Sequence, residues 1–149
     1  MPAIKKMEEQ PPLDLLLLAD PSPEAVRDYA AKGICWGAYE GEELAGICVL
    51  LLTRPQTAEI INLAVYEHAQ SRGIGTQLLK HAIEYTKASG FHTLEIGTGN
   101  SSIQQLALYQ KHGFRITGIE FDYFTRHYPE EIYENGIICR DMIRLSLHF

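Results

Sequence analysis

Gln70-Ser71-Arg72-Gly73-Ile74-Gly75 lies between two segments whose apolar residues follow different periods. The preceding run, Ile60 to Val65, is apolar and rich in β-branched residues, which predicts a largely buried strand. The residues that follow repeat every three or four positions, which predicts one stripe of a helix formed by Leu78, Leu79, Ala82, Ile83 and Thr86. A strand, a glycine turn and a helix in that order leave unpaired backbone N–H groups at the positive end of the helix dipole. The stretch therefore predicts a binding site for an anion such as a phosphate.

Two well-known glycine loops do not match this stretch. The mononucleotide loop ends in Gly-Lys-Ser/Thr, whereas Gly75 is followed by Thr76-Gln77. The dinucleotide fingerprint requires a third glycine at the position of Leu78. What remains is Gln-x-x-Gly-x-Gly directly on a helix, in which the glycines remove the Cβ atoms that would hold a diphosphate away from the backbone. A tight turn without a ligand stays open as the alternative.

Two segments together resemble the GNAT superfamily of acyl-CoA-dependent N-acyltransferases. The Gln70 to Gly75 stretch resembles the pyrophosphate loop of that family, and Leu106 to Phe114 resembles its Ala-x-x-Leu-Tyr-x-x-x-Gly-Phe segment. The resemblance implies an N-acetyltransferase that uses acetyl-CoA as co-substrate and acts by direct attack of a primary amine in a ternary complex. The alternative function is a catalytically silent acyl-CoA-binding sensor or regulatory module.

The resemblance also implies which residues hold the cofactor. The acyl carbonyl is expected to accept a hydrogen bond from the backbone at the end of the strand, and the pyrophosphate from the backbone of the loop. The residues concerned are Leu63, Ala64 and Val65 in the strand, and Gln70, Ser71, Arg72, Gly73, Ile74, Gly75 and Thr76 in the loop. The family often has a cofactor-binding asparagine seven residues before its tyrosine, where this chain has Ser102. Either Asn100 takes that role, or Ser102 only caps the helix.

Two residues are predicted to carry the chemistry. By resemblance, Tyr109 is the general acid and also contacts the cofactor: a phenol can protonate the thiolate that leaves when an amine attacks a thioester. Helical spacing places Tyr109 off the stripe of Ile103, Leu106, Ala107 and Gln110, so it need not be a core aromatic. Glu59 is the first candidate for the base that deprotonates the acceptor. Strand alternation puts Glu59 on one face with Ile61 and Leu63, an awkward position for a carboxylate unless the strand bulges, and a solvated glutamate is the alternative.

Composition limits the cellular compartment and the classes of partner that we expect for this protein. The chain has 149 residues, is 46% hydrophobic and carries a formal net charge of −6, which argues against nucleic acid as a partner. Its three cysteines are widely spaced without a Cys-x-x-Cys motif, so neither a disulfide framework nor a metal site is expected. The start is charged and the apolar runs are short, so no membrane partner and a cytoplasmic location are expected. Family members often form a homodimer, for which the last strand would offer an edge.

The remaining segments predict an α+β (α/β) fold of one domain, residues 1–149, with a mixed, mainly antiparallel central sheet of about six to seven strands and helices on both faces. The predicted strands cover 13–19, 34–39, 44–53, 58–65, 93–98, 114–120 and 137–147, and periodicity also allows a short helix at 13–19. The predicted helices are 23–32, capped by Ser22, one that follows the glycine loop and stops at Ser89-Gly90, and 103–112, with a capping box of Ser102 and Gln105. Residues 122–135 are predicted to form a long loop. The order of elements resembles the GNAT fold, in which the fourth and fifth strands separate and the pantetheine of the cofactor is expected in the gap.

The acceptor is expected to be a small cationic amine. Glu120 to Phe124 and Tyr128 to Glu134 combine carboxylates with aromatic rings. Carboxylates stabilise a bound ammonium group, and aromatic faces attract it through their quadrupole. The alternative is a solvated acidic loop whose aromatic residues cover the core.

Overall fold

Residues 2–149 are described by a computed structural model, in which the chain divides into two units. The first unit ends at His92, and the second runs from Thr93 to Phe149. The elements of the first unit are β1 (Ala3–Lys6), α1 (Leu13–Ala19), α2 (Pro23–Lys32), β2 (Ile34–Glu40), β3 (Glu43–Arg54), β4 (Thr57–Val65), a 3-10 turn (Glu67–Ala69) and α3 (Ile74–Ala88). Those of the second unit are β5 (Thr93–Gly99), α4 (Ile103–Lys111), β6 (Arg115–Glu120), α5 (Tyr123–His127), β7 (Tyr133–Glu134), β8 (Ile137–Ile138) and β9 (Met142–His148).

The sheet of the first unit has helices on both faces. β1, β2, β3 and β4 pair antiparallel in chain order. Ile47 and Val49 of β3 belong to one core cluster with buried residues of α1 and α2. Successive strand residues face opposite sides, and Gly46 accordingly lies against Leu78 of α3. The sheet therefore buries both of its faces, which explains why β3 is apolar almost without interruption.

The prediction of a strand at 13–19 is wrong, because these residues form α1. Leu15 and Leu16 are buried and adjacent, whereas a half-buried strand would alternate. Helical geometry puts both residues on the core side and leaves Leu18 57% exposed. The strand of this region is instead β1. It has only four residues, two of them lysine, and therefore carries no strong strand pattern.

The helix predicted at 23–32 is confirmed. The Ser22 hydroxyl accepts a hydrogen bond from the backbone N–H of Ala25 at 3.2 Å, and Pro23 occupies the first turn. The N–H of Gly33 closes the helix on the carbonyl of Tyr29 at 2.8 Å. Local sequence therefore determines both ends of α2.

The sheet of the second unit is β5, β9 and β6, paired antiparallel with β9 in the middle. Two predictions about the C-terminal strand are therefore wrong. It does not run without a break from 137 to 147, since Cys139 to Asp141 separate β8 from β9. Nor does it offer a free edge for a homodimer, because β9 has a partner strand on each side.

The prediction of a long loop at 122–135 is also wrong. This segment contains the short helix α5 and the strand β7, which pairs with β8. Asp122 and Asn135 adopt left-handed backbone conformations, with φ of 60° and 55°. Asparagine and aspartate tolerate this region better than other non-glycine residues, so both turns are encoded by the local sequence.

The predicted fold class is confirmed. Residues 2–149 have seven main strands that pair mostly antiparallel, and helices accompany them. The organisation of residues 1–149 as one domain stays a prediction. None of the helices in residues 2–149 is long and apolar enough to cross a membrane.

Replacement of Gly46 tests the packing between β3, β4 and α3. A Cβ atom at Gly46 would lie 2.9 Å from the carbonyl oxygen of Ala64 and 3.2 Å from a methyl group of Leu78. Since the oxygen belongs to the backbone, it moves only if β3 and β4 separate. We expect Gly46→Ala to lower the free energy of unfolding by about 1–3 kcal/mol, measured by urea denaturation. The matched control is Gly118→Ala, where a Cβ meets no atom within 4 Å; equal stability of the two variants would contradict the prediction.

Candidate functional site

The glycine loop turns the chain from β4 into α3. Gly73 is the N-cap of α3 with φ of 79°, in the left-handed region that glycine adopts without steric cost. Ser71 also has a positive φ, 66°, which is uncommon for serine. The first backbone hydrogen bond of the helix runs from Gln77 N–H to the carbonyl of Gly73, at 3.0 Å. The N–H groups of the residues between them thus precede the intrahelical pattern and form a donor set at the positive end of the helix.

The space beside this donor set is open. A Cβ atom at Gly75 would have one neighbour within 4 Å among residues 2–149, a Val65 methyl group at the ordinary contact distance of 3.8 Å. Gly75 does not have a positive φ, and glycine within a helix costs about 1 kcal/mol relative to alanine. Neither backbone conformation nor packing therefore requires glycine at this position. Close approach of a ligand to the backbone is the explanation that remains.

Side chains fix the loop to its surroundings. Gln70 Nε2 donates to the carbonyl oxygen of Val65 at 3.1 Å, which connects the start of the loop to the end of β4. Arg72 forms an ion pair with Glu40 at 2.8 Å, although both side chains are substantially exposed. The positive charge of Arg72 beside the loop is therefore partly balanced by the carboxylate of Glu40.

At the end of β4, the backbone N–H and C=O groups of successive residues point to opposite edges of the strand. The carbonyl of Ala64 points toward β3, as its 2.9 Å distance from a Cβ added at Gly46 indicates. Because the N–H and C=O groups of one strand residue point to the same side and alternate along the strand, the N–H groups of Leu63 and Val65 point to the opposite edge of β4. The bond from Gln70 to the Val65 carbonyl agrees with this direction. Of the three predicted strand residues, Leu63 and Val65 thus have N–H groups directed away from β3.

Glu59 does not share a face with Leu63, so the prediction from simple alternation is wrong. Asn62 lies opposite Val49 while Ile60 lies opposite Leu50, so β4 contains one extra residue, a β-bulge. The bulge shifts the alternation by one position. Glu59, which lies opposite Leu51, therefore faces the same side as Asn62, the side covered by α1 and α2.

Asn62 is the centre of a polar network that sequence analysis missed. Its side chain is 3% exposed, and Nδ2 donates to the Leu16 carbonyl at 3.0 Å and to the Tyr29 hydroxyl at 2.9 Å. Tyr29 in turn donates to Asp20 at 3.1 Å. Oδ1 of Asn62 has no hydrogen-bond partner among residues 2–149. The signal in the sequence is an asparagine inside an apolar strand, since a buried polar side chain is retained only when it has partners or a function.

Tyr66, between β4 and the loop, is a second side chain that the sequence did not single out. Its hydroxyl donates to Asp14 at 3.1 Å, and its ring stacks on His68 with 5.6 Å between centroids. Burial, followed by the hydrogen bond to Asp14 and the charge of that carboxylate, raises the pKa of Tyr66. His68 itself is exposed.

Tyr109 is the buried residue of α4, so the prediction from helical spacing is wrong. Tyr109 is 6% exposed and its ring lies 6.1 Å from that of Phe114, whereas Ile103, on the predicted core stripe, is 47% exposed. A nine-residue helix is too short for a stripe to define its orientation, which is set by what lies against it. The backbone carbonyl of Tyr109 accepts the N–H groups of His112 and Phe114, both at 3.1 Å, and thereby closes the helix.

Asn100 and Ser102 make structural hydrogen bonds within the second unit. Asn100 Oδ1 accepts from the N–H groups of Arg140 at 2.8 Å and Asp141 at 2.9 Å, and Nδ2 donates to the Ile138 carbonyl at 3.1 Å. The predicted capping box at Ser102 is wrong, because no side chain among residues 2–149 caps α4. Ser102 instead donates its hydroxyl to Glu134 at 2.8 Å. The cofactor contact of Asn100 stays a prediction.

The acidic and aromatic segments form a cleft of about 100 Å³ in the second unit. Stacked rings of Phe124 and Tyr128, 5.7 Å apart, form part of its wall together with Glu130 and Glu131. Glu120, from the first predicted segment, is instead paired with Arg144 at 3.0 Å. The carboxylates that line this cleft are thus those of the second segment.

The three cysteines, Cys35, Cys48 and Cys139, are free and buried. Burial raises the pKa of all three thiols, that of Cys48 to about 12, with the neighbouring Cys35 as a smaller cause. A thiol with a raised pKa stays protonated near neutral pH and is a weak nucleophile.

The chain resembles known acetyltransferases over most of its length. Residues 4–114 match the model of the acetyltransferase (GNAT) family. The uncharacterized N-acetyltransferase YvbK of Bacillus subtilis is 61% identical over 134 residues, which cover 90% of this chain and 86% of that protein. The crystal structure of a Bacillus subtilis acetyltransferase in complex with CoA is 57% identical with a TM-score of 0.95, covering 100% of this chain and 99% of that one. A GNAT family acetyltransferase from Elizabethkingia anophelis with acetyl-CoA bound is 47% identical with a TM-score of 0.94, covering 99% and 98%. These likenesses confirm the resemblance carried by the glycine loop and the tyrosine segment, and the chain belongs to the acetyltransferase (GNAT) family.

Proposed function

We propose that this protein transfers the acetyl group of acetyl-CoA to the primary amine of a small cationic acceptor, by direct attack in a ternary complex. The observation that carries the proposal is the open donor set at the start of α3, where Gly75 is required by neither fold nor packing. Relatives with CoA and with acetyl-CoA bound support the choice of co-substrate.

The loop residues would hold the pyrophosphate through their backbone. Helix N-termini bind phosphate groups because unpaired N–H groups and the helix dipole act together. Arg72 would contribute charge while remaining oriented by Glu40. At the strand end, the N–H of Val65 is favoured as the donor to the acetyl carbonyl, because Val65 directs its backbone away from β3. A donor at that position stabilises the oxyanion that forms when the amine attacks.

Tyr109 would act as the general acid. Attack by the amine on the acetyl carbon breaks the carbon–sulfur bond, and the departing thiolate takes the phenolic proton of Tyr109. The low exposure of Tyr109 supports this role, since a water-poor surrounding strengthens a hydrogen bond to a developing charge. The raised pKa values of the cysteine thiols favour direct transfer over a cysteine relay.

Glu59 would be the base that removes a proton from the ammonium form of the acceptor, directly or through water. The bulge in β4 supports this assignment, because it turns Glu59 to the side that carries the polar Asn62 network. Bulges occur often next to active sites, where they redirect a side chain. The acceptor would thus meet the carboxylate on the side of β4 that faces α1 and α2.

The cleft of the second unit supports a cationic acceptor. An ammonium group is attracted by the faces of Phe124 and Tyr128 and by the charges of Glu130 and Glu131. The volume of about 100 Å³ would admit a short aminoalkyl group. The cytoplasmic location and the homodimer remain parts of the proposal.

Replacement of Gly75 tests cofactor binding. Gly75→Val places a branched side chain beside the donor set, at a position where the added Cβ meets a Val65 methyl group at the ordinary contact distance of 3.8 Å. We expect the Kd for acetyl-CoA, measured by calorimetry, to rise at least roughly tenfold, because charge-assisted hydrogen bonds of about 1.5–3 kcal/mol each are weakened. The matched control is Gly118→Val, which also introduces valine into open space. Equal affinities of the two folded variants would mean that the glycine loop is only a turn.

Replacement of Tyr109 tests the chemistry. Tyr109→Phe removes the acidic proton and keeps the buried ring, so the fold and the Kd for acetyl-CoA should change little. Turnover should fall about 10²–10⁴-fold, the usual contribution of a general acid, as measured by release of the CoA thiol. Wild-type turnover would remove Tyr109 from the mechanism. If the wild-type protein binds acetyl-CoA but turns over none of the amines tested, that result would favour the sensor function instead.

Replacement of the acidic residues that line the cleft tests which class of acceptor the protein uses. The double variant Glu130→Gln/Glu131→Gln should raise the KM for cationic amines about three- to tenfold, a modest effect because exposed charge pairs are weak. It should leave the Kd for acetyl-CoA unchanged. Glu8→Gln/Glu9→Gln removes the same charge from exposed, adjacent positions and serves as the control. A neutral or anionic acceptor in an amine screen, or identical KM values in the two double variants, would contradict the cationic cleft.

A further inference from the structure

We propose that Glu134 is a positioning residue for Tyr109, which it orients by anchoring the first turn of α4 to the hairpin of β7 and β8. This inference rests on the proposed function, in which Tyr109 is the general acid. Glu134 itself would touch neither the acceptor nor the cofactor.

The carboxylate of Glu134 accepts two hydroxyl groups from the start of α4. Oε1 of Glu134 lies 3.1 Å from Ser101 Oγ and 2.8 Å from Ser102 Oγ. Ser101 is 0% exposed and Ser102 6%, so water can replace the carboxylate at neither hydroxyl without rearrangement. Hydrogen bonds to an ionised acceptor are roughly twice as strong as those between neutral groups.

Asn135, the next residue of the hairpin, adds a second attachment. Its Nδ2 donates to the Ser101 carbonyl at 2.8 Å and to Gln104 Oε1 at 3.1 Å, and its Oδ1 accepts from Gln104 Nε2 at 3.1 Å. Asn135 has a left-handed backbone conformation, with φ of 55°. Consecutive hairpin residues therefore attach to both the N-cap region and the first turn of α4.

Asn100 fastens the other end of the hairpin. Its side chain bonds the main chain of Ile138, the last residue of β8, and that of Arg140 and Asp141, which follow the strand. With Glu134 bound to Ser101 and Ser102, the hairpin is held on both sides by three consecutive residues that precede α4. The hairpin and the start of the helix thus form one hydrogen-bonded body.

A helix such as α4 needs this anchor. It has nine residues and, among residues 2–149, no side chain that caps its N-terminus. Helices of this length are unstable alone and depend on tertiary contacts. A carboxylate beside an N-terminus also interacts favourably with the helix dipole. Tyr109 lies seven residues after Ser102, about 10 Å along the axis at 1.5 Å per residue, so a displaced first turn moves the phenol with it.

The effect should be on the rate rather than on cofactor affinity. Glu134→Ala should lower kcat about tenfold or more, since a misplacement of about 1 Å can cost roughly 10²-fold in rate. The Kd for acetyl-CoA should stay within about twofold of wild type, because the glycine loop is untouched. Glu134→Gln should recover most of the lost kcat, because an amide oxygen can still accept the serine hydroxyls. Glu84→Ala, at an exposed position of α3, is the matched control.

A double-mutant cycle separates positioning from general stability. In the Tyr109→Phe background, Glu134→Ala should change kcat less than about twofold, because the group that it positions is already absent. An equal reduction in both backgrounds, or a kcat equal to that of Glu84→Ala, would overturn the proposal. If Glu134→Ala does not fold, Ser101→Ala, which removes one of the two donors, enters the same cycle with the same expected non-additivity.

The cycle also distinguishes the two proposals. Wild-type turnover of Tyr109→Phe would overturn the general-acid role and, with it, the positioning role of Glu134. A low turnover of Tyr109→Phe together with an unaffected Glu134→Ala would overturn only the role of Glu134.

Discussion

The start of α3 depends on one backbone constraint, the left-handed conformation of Gly73. With φ of 79° this residue lets the chain reverse from the end of β4 into the helix without a long connection. The bond from Gln70 to the Val65 carbonyl then holds the loop against the strand end. These two interactions direct the donors of the helix start outward and keep the Val65 backbone beside them. One short segment thereby holds both sets of backbone donors that the proposed function assigns to the pyrophosphate and to the acetyl carbonyl.

In the second unit, hydrogen bonds from polar side chains hold segments of the chain together, as apolar packing does in the first unit. Asn100 and Glu134 connect the irregular chain around β7 and β8 to the start of α4 through hydrogen bonds to main-chain and hydroxyl groups. Such bonds fix direction, whereas apolar contacts allow sliding. Under the proposed mechanism α4 holds the phenol of Tyr109 in a defined position, for which directional bonds are an advantage. Such an arrangement is sensitive to substitution, because each buried hydroxyl left without its partner destabilises the structure.

Predictions from sequence succeeded where the signal was local. Ser22, Pro23 and Gly33 determine the ends of α2 by capping and backbone conformation, which depend only on neighbouring residues. They failed where the partner was distant in sequence. The hydroxyl of Ser102 could cap its own helix or bind Glu134, and the spacing of Ser102 and Gln105 carries no information about residue 134. Similarly, one extra residue in β4 reversed the face of Glu59, because a bulge changes every later position in the alternation.

The sequence by itself determined the family and the glycine turn and singled out Tyr109 as the candidate general acid, because backbone conformation and short motifs are encoded by adjacent residues. Tertiary structure alone decided that Leu13–Ala19 is a helix, that Tyr109 is buried and that Glu59 faces the side of Asn62. A run of leucines satisfies a strand or a helix equally well until a neighbouring surface selects one of them. The orientation of a short helix is likewise set by the surface on which it packs. These features depend on contacts between residues far apart in the chain, for which no local pattern exists.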